Sequence, residues 1–261
     1  MGQKGLILLT NDDGVHAKGL NTLFAAISKS ADAYIVAPDR ERSASGRSIT
    51  IDRPLKVVEV SKRIYSISGT PTDSVVIGLS KVLPEPPVLI ISGINHGPNL
   101  GDDIFYSGTV SAAMEGTLYD IPSIAMSLNM RNGEKPYFET AARVASEIAA
   151  FVLANPLPFD TLLNVNVPNA HYDEIKGWKF TRQGKRRYEG AIHDTKSPWG
   201  DRYYWIGGGT ATWDLNDDND INTVQDGYVS ITPLHLDLTN HNTLEFLSGQ
   251  WRKWSTKQPE S

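Results

Sequence analysis

The sequence predicts an α/β fold in which a mostly parallel sheet carries helices on both faces. Two observations carry that expectation. Runs such as Leu6-Ile7-Leu8-Leu9, Tyr34-Ile35-Val36-Ala37 and Val88-Leu89-Ile90-Ile91 lack polar alternation, as strands covered on both sides do. Between such runs apolar residues recur at helical spacing, as at Leu20, Leu23, Phe24 and Ile27. A length of 261 residues suits one large domain, with or without an elaboration, better than two independent units.

In chain order, Leu6 to Leu9 is the first strand; it opens into a polar turn and then the helix containing Leu20 to Ile27. Tyr34 to Ala37 is the second strand, stopped by Pro38. Residues 48 to 68 read as a β excursion, with Ile49, Ile51, Leu55, Val57, Val58 and Val60 interleaved with polar positions. Thr70 as a cap and Pro71 in the first turn open a helix that reaches Leu83. Val88 to Ile91 is a third apolar strand ending in the polar loop Ser92-Gly93-Ile94-Asn95. A helix over 108 to 118, a strand from Ile121 to Leu128, an amphipathic helix from Tyr137 to Leu153 and a fifth strand from Leu162 to Val167 complete the alternation.

After Pro168 the character changes. Residues 176 to 215 are rich in Gly, Tyr, Trp and charge and are expected to form hairpins and long loops outside the main sheet. Gly227 to Leu236 returns to strand pattern, Thr243 to Trp251 suits a terminal helix, and the tail from Ser255 to Ser261 is expected to be disordered.

Composition narrows the chemistry. A net charge of -5 argues against a molecule that traps nucleic acid over its whole surface. The absence of cysteine excludes disulfides, thiolate catalysis and zinc–thiolate sites. Leu6 to Leu9 is too short for a signal-peptide core, and no apolar run approaches membrane-spanning length, so the cytoplasm is the expected address. Neither a P-loop, a Gly-x-Gly-x-x-Gly fingerprint nor a Gly-x-Ser-x-Gly elbow is present.

Ligands of an open parallel sheet bind beyond the carboxyl ends of its strands, where strand order reverses. The loops expected at that edge are Asn11-Asp12-Asp13-Gly14, Pro38 to Ser43, Ser92 to Gly97, and Asn99 to Asp103. Two adjacent carboxylates after a buried strand repel each other and lose hydration, which a divalent cation relieves. With Ser43 and Asn95 converging, Asp12 and Asp13 make a four-oxygen set suited to Mg²⁺, Mn²⁺ or Ca²⁺. Asp-Asp-Gly is equally a common turn, and the agreement of three strand ends is what favours the metal. Ser107-Gly108-Thr109 stands at a helix start, where N–H groups and hydroxyls can hold phosphate or where Ser107 simply caps. Arg182, Lys185, Arg186 and Arg187 can guide phosphate or sit on a solvated or subunit-contacting hairpin, and nearby Tyr188, Tyr203, Tyr204 and Trp205 can stack on a base or pack in an oligomer. His16 and His96 lie on the active edge, whereas His235 and His241 read as structural.

At these motifs the sequence resembles the stationary-phase survival protein SurE family of metal-dependent 5′/3′-nucleotidases. The resemblance rests on Leu8 to Ala17, Ala37 to Ser43, Ser92 to Asn95, Gly97 to Asp103, Tyr106 to Gly116 and Gly227 to Leu234. It implies Asp12, Asp13, Ser43 and Asn95 as ligands of one divalent cation per subunit, Mg²⁺ or Mn²⁺, with Ca²⁺ able to substitute in crystals. Asp12 and Asp13 are the expected catalytic residues, and Asn99, Ser107, Gly108 and Thr109 the expected phosphate-binding set. The resemblance further implies a Rossmann-like core, protruding hairpins as an oligomer-building arm, and a homodimer or homotetramer that exchanges its C-terminal segment. Substrates are then nucleoside 5′- and 3′-monophosphates and short polyphosphate, with neither membrane nor stable nucleic-acid partner; the alternatives are an exopolyphosphatase as the main activity or a non-catalytic nucleotide-binding sensor. The chain departs from the family at Lys18, where proline is usual, and from Asn242 onward.

Overall fold

The first apolar runs become the middle of a sheet because alternate side chains of each run meet a different layer. The structure is a computed structural model and describes residues 5–131, 133–190, 192–207, 209–213 and 219–255. Its elements begin with β1 (Leu6–Thr10), α1 (Lys18–Ile27), β2 (Asp32–Pro38), β3 (Val57–Ser61), β4 (Ile64–Ile67), α2 (Pro71–Ile77) and β5 (Leu89–His96). There follow α3 (Gly108–Leu118), β6 (Ser123–Asn129), α4 (Phe138–Ala154), β7 (Thr161–Pro168) and β8 (Trp178–Phe180). The last third holds β9 (Arg186–Glu189), β10 (Ile192–Lys196), β11 (Arg202–Ile206), β12 (Thr210–Trp213), α5 (Asp220–Gln225), β13 (Val229–His235) and α6 (His241–Ser255).

The main sheet runs β3-β4-β2-β1-β5-β6-β7-β13-β8. From β4 to β7 neighbours are parallel; β3 is antiparallel to β4 and β13 to β7. Ile7 and Leu9 of β1 pack with α1 and α4, whereas Leu8 packs with Val75 of α2 and Ala112 of α3. The period of two thus places apolar residues against both layers, which is why the run lacks polar alternation. The chain builds outward from β1 through β2 and then returns to β5 on the other side of β1. Strand order therefore reverses between β1 and β5, and a ligand crevice is expected at their carboxyl ends.

Close backbone approach fixes α1 at that edge. A Cβ on Gly19 would lie 2.2 Å from the Ile94 carbonyl oxygen, so only glycine lets α1 sit this near β5. On the other face Thr70 caps α2 in a full capping box with Asp73.

Four expectations are corrected. Within 48 to 68 only β3 and β4 form, and they extend the main sheet beside β2. The stretch Ser92 to His96, expected as loop, continues β5 through a register shift against β6 between Ser92 and Asn95. Within 176 to 215 the pairs β9–β12 and β10–β11 do stand outside the main sheet, but β8 joins its edge beside β13. The helix from Pro71 is α-helical only to Ile77 and continues as a π-helical turn over Gly78–Val82. A short helix, α5, lies where none was expected. Leu244, Phe246, Leu247, Trp251 and Trp254 of α6 are all exposed. Residues 256 to 261 of the expected tail lie outside the described residues. No described helix is long and apolar enough to cross a membrane.

Candidate active site

The turn after β1 is closed by its own first residue. Asn11 is buried; its Nδ2 donates to the Gly14 carbonyl at 3.1 Å and its Oδ1 accepts the Gly14 N–H at 3.2 Å. This brace presents Asp12 and Asp13 at the sheet edge. The loop after β2 is laced to it by two backbone bonds, Val15 N to Pro38 O at 2.8 Å and Arg42 N to Asp12 O at 2.7 Å. Gly14, at φ +98°, has no room for a side chain because a Cβ would meet the Arg40 carbonyl carbon at 3.0 Å. That lacing carries Ser43 to the same crevice.

Asp12 is only 5% exposed. The hydroxyl of Thr109 donates to its Oδ1. A Cβ on Gly108 would fall 2.8 Å from the Asp12 Cβ, so the start of α3 rests directly on this carboxylate. Burial nevertheless pushes the Asp12 carboxyl above the usual range, against the pull of Thr109. Asp13 is raised to about 6, first by burial and then by the neighbouring Asp12 charge; its one backbone donor, His96 N–H, is long at 3.3 Å. Both carboxylates thus hold negative charge at a cost, the condition that a cation relieves.

The other two expected ligands keep the right atoms open. Asn95 donates its Nδ2 to the Gly97 carbonyl at 2.9 Å, which leaves its amide oxygen as a donor atom for a metal. Ser43 gives its proton to Glu41 Oε1 at 2.6 Å, which leaves the lone pairs of its oxygen available. Among the described residues no three His, Cys, Asp or Glu side chains form a metal-binding group. Here two carboxylates are joined instead by a hydroxyl and an amide oxygen, a hard-oxygen set that fits Mg²⁺ or Mn²⁺.

One cavity of about 560 Å³ joins Asp12, Asp13, Ser43, Asn95, Asn99 and Ser107. Ser107 caps α3, accepting the Val110 N–H at 3.1 Å. Gly108 and Thr109 lie behind Asp12 and do not line the cavity. The Thr109 hydroxyl is committed to the carboxylate, so its role here is to brace Asp12. Asn99 is held rigidly: its Nδ2 donates to Ser127 at 2.8 Å, its N–H to Asn166 Oδ1 at 2.9 Å, and its carbonyl accepts from Asn164 and Asn166, each at 2.9 Å. Sequence reasoning missed Asn164 and Asn166. Their signal was two asparagines inside an otherwise apolar strand, buried amides that need partners.

Glu41, Lys18, Asp103, Tyr106 and Phe138 also line the cavity. His96 does so as expected, whereas His16 does not. Of the basic cluster, Arg186 pairs with Asp103 at 2.6 Å, and Arg182, Lys185 and Arg186 do not line the cavity; the Arg187 and Tyr188 side chains lie outside the described residues. Tyr203, Tyr204 and Trp205 are exposed on β11 and do not reach the cavity.

Comparison with known proteins matches this arrangement to one family. The model of the family described as Survival protein SurE matches residues 7–190. A 5′-nucleotidase SurE from Pelobacter propionicus is 48% identical over 242 residues, covering 93% of this chain and 98% of its own. One from Geotalea uraniireducens is 50% identical over 245 residues, covering 92% and 97%. The crystal structure of the SurE protein from Aquifex aeolicus superposes with a TM-score of 0.83 at 45% identity, covering 93% of this chain and 99% of that one.

Proposed function

We infer the reaction from the premise that this chain belongs to the Survival protein SurE family. It is a hydrolase that releases phosphate from nucleoside monophosphates. The observation that carries this reading is the Asp12–Asp13 pair at the β1–β5 reversal, Asp12 buried and Asp13 half-buried, with both carboxyls raised and with Ser43 and Asn95 open beside it.

Asp12, Asp13, Ser43 and Asn95 would hold a divalent cation, which when bound would neutralise the phosphoryl oxygens and make the attacking water more acidic. Asp12 or Asp13 accepts the proton of that water. The water oxygen forms the new bond to phosphorus, the ester bond breaks towards the ribose oxygen, and that oxygen takes a proton from solvent to leave as the nucleoside hydroxyl, while the aspartate returns its proton to solvent. Ser107 and Asn99, which line the cavity, orient the phosphate. The Asn164–Asn166 brace keeps Asn99 in place, which matters because a misplacement of about 1 Å can cost roughly 100-fold in rate.

The finer assignments follow from the same reading. The cation is Mg²⁺ or Mn²⁺, the substrates include 3′- as well as 5′-monophosphates, and short polyphosphate is a secondary substrate. The chain acts as one domain over residues 1–261, with an oligomer-building arm at 176–215 and an exchanged C-terminal segment at 236–261. It forms a homodimer or homotetramer in the cytoplasm. The exposed apolar face of α6 and the exposed aromatics of β11 support the oligomer.

Phosphate release from AMP, GMP, 3′-nucleotides and polyphosphate, with Mg²⁺, Mn²⁺ or EDTA, tests the reading. Metal-dependent release from the mononucleotides is expected, and Asp12→Asn abolishes it. Release that persists in EDTA, or none with any metal, overturns it.

A further inference from the structure

We propose that Lys18 sets substrate preference by binding a second anionic group carried on the leaving-group side of the nucleotide. The inference rests on the nucleotidase reading and extends it to substrates with two separated phosphates, such as nucleoside 3′,5′-bisphosphates.

Lys18 is the only Lys or Arg among the described residues lining the cavity, where Asp12, Asp13, Glu41 and Asp103 supply four carboxylates. Asp103 is already paired with Arg186, and Lys18 forms no ion pair among the described residues. A lysine that faces several carboxylates yet pairs with none of them keeps its charge available for a ligand. Its long stem and three donors suit a phosphate oxygen more than a neutral base edge.

Position decides which end of the substrate it meets. Lys18 is the first residue of α1, in the layer shared with α4, whereas Ser107 caps α3, in the layer shared with α2. The two therefore stand on opposite walls of the crevice, with the Asp12–Asp13 turn between them. A phosphate seated at the carboxylate pair against the Ser107 wall sends its leaving group across towards α1. A nucleoside with a further phosphate on its ribose then carries that charge to the Lys18 wall, while a simple monophosphate brings none.

The experiment compares kcat/KM for adenosine 5′-monophosphate and adenosine 3′,5′-bisphosphate in the wild type, Lys18→Ala and Lys18→Arg, at low and high salt. The ratio of bisphosphate to monophosphate should fall about fivefold in Lys18→Ala, the worth of one partly exposed ion pair. The fall should lie in KM, Lys18→Arg should restore the ratio, and salt should depress it in the wild type but not in Lys18→Ala. A ratio unchanged in Lys18→Ala, or an equal loss on both substrates, overturns the inference alone if the wild type still hydrolyses the monophosphate. A wild type that releases phosphate from neither nucleotide overturns the nucleotidase reading and this inference together.

Discussion

Replacing Asp13 with asparagine should make the metal-free protein more stable while ending its response to metal. The Asp13 carboxyl is raised from 3.8 to about 6 by burial and by Asp12. A displacement of that size corresponds to roughly 3 kcal/mol between the protonated and ionised forms in the fold. Because the folded value lies above the unfolded one, this stability is fully present below pH 3.8 and is lost as pH rises through about 6. At pH 7.5 the metal-free chain lacks it. The asparagine side chain would keep the shape, accept the His96 N–H and carry no charge. In EDTA at pH 7.5 Asp13→Asn should therefore be up to about 3 kcal/mol more stable, roughly 6 °C in Tm. The advantage should vanish towards pH 4. With Mn²⁺ the order should invert, since only the wild type gains binding energy. Thermal unfolding of both proteins from pH 4 to 8, with EDTA or Mn²⁺, measures all of this. A variant less stable than wild type in EDTA at pH 7.5, or a wild type that alone gains stability between pH 5 and 7.5 in EDTA, would refute the reasoning.

Two further perturbations probe how the site is held. Gly108→Ala would place a Cβ 2.8 Å from that of Asp12, and α3 must move to admit it. Steady-state assays should show kcat/KM reduced about 100-fold, as for a misplacement near 1 Å, while thermal unfolding should show a loss of about 1–3 kcal/mol from the overpacking. Asp220 is fully buried and accepts the Gly101 N–H at 2.9 Å and the Gly184 N–H at 2.8 Å, which ties the loop of Asn99 and Asp103 to the arm. Asp220→Ala strands both donors, and urea denaturation should report a loss of about 2–5 kcal/mol.

The centre of the fold was legible because β1, β2 and β5 are buried on both faces and leave an unmistakable apolar run. The candidate ligands were legible for a related reason: a parallel sheet delivers the carboxyl ends of its strands to one edge, so Asp12, Ser43 and Asn95 could be placed together without coordinates. β8 was not legible. It is three exposed residues long, and it belongs to the main sheet only because β13 comes back beside β7. Ser92 to His96 looked like a loop because serine, glycine and asparagine replace the apolar run. The chain stays extended there while its register shifts against β6. The role of Thr109 was hidden because a hydroxyl at a helix start has the same sequence signature whether it faces a ligand or a neighbouring carboxylate.

The seat of β13 between β7 and β8 dictates an order of assembly. All strands from β1 to β7 have their central partners once residue 168 has been made, but β8 has only β13 to pair with, and β13 starts at Val229. The nascent chain must hold β8 unpaired while the whole arm emerges, and such long-range pairing is slow. Asp220 also belongs to that late stretch, and it accepts the Gly101 N–H. The sheet that carries Asp12 and Asp13 can thus fold well before the loop of Asn99 and Asp103 is locked, so catalytic competence should be among the last properties the growing chain acquires.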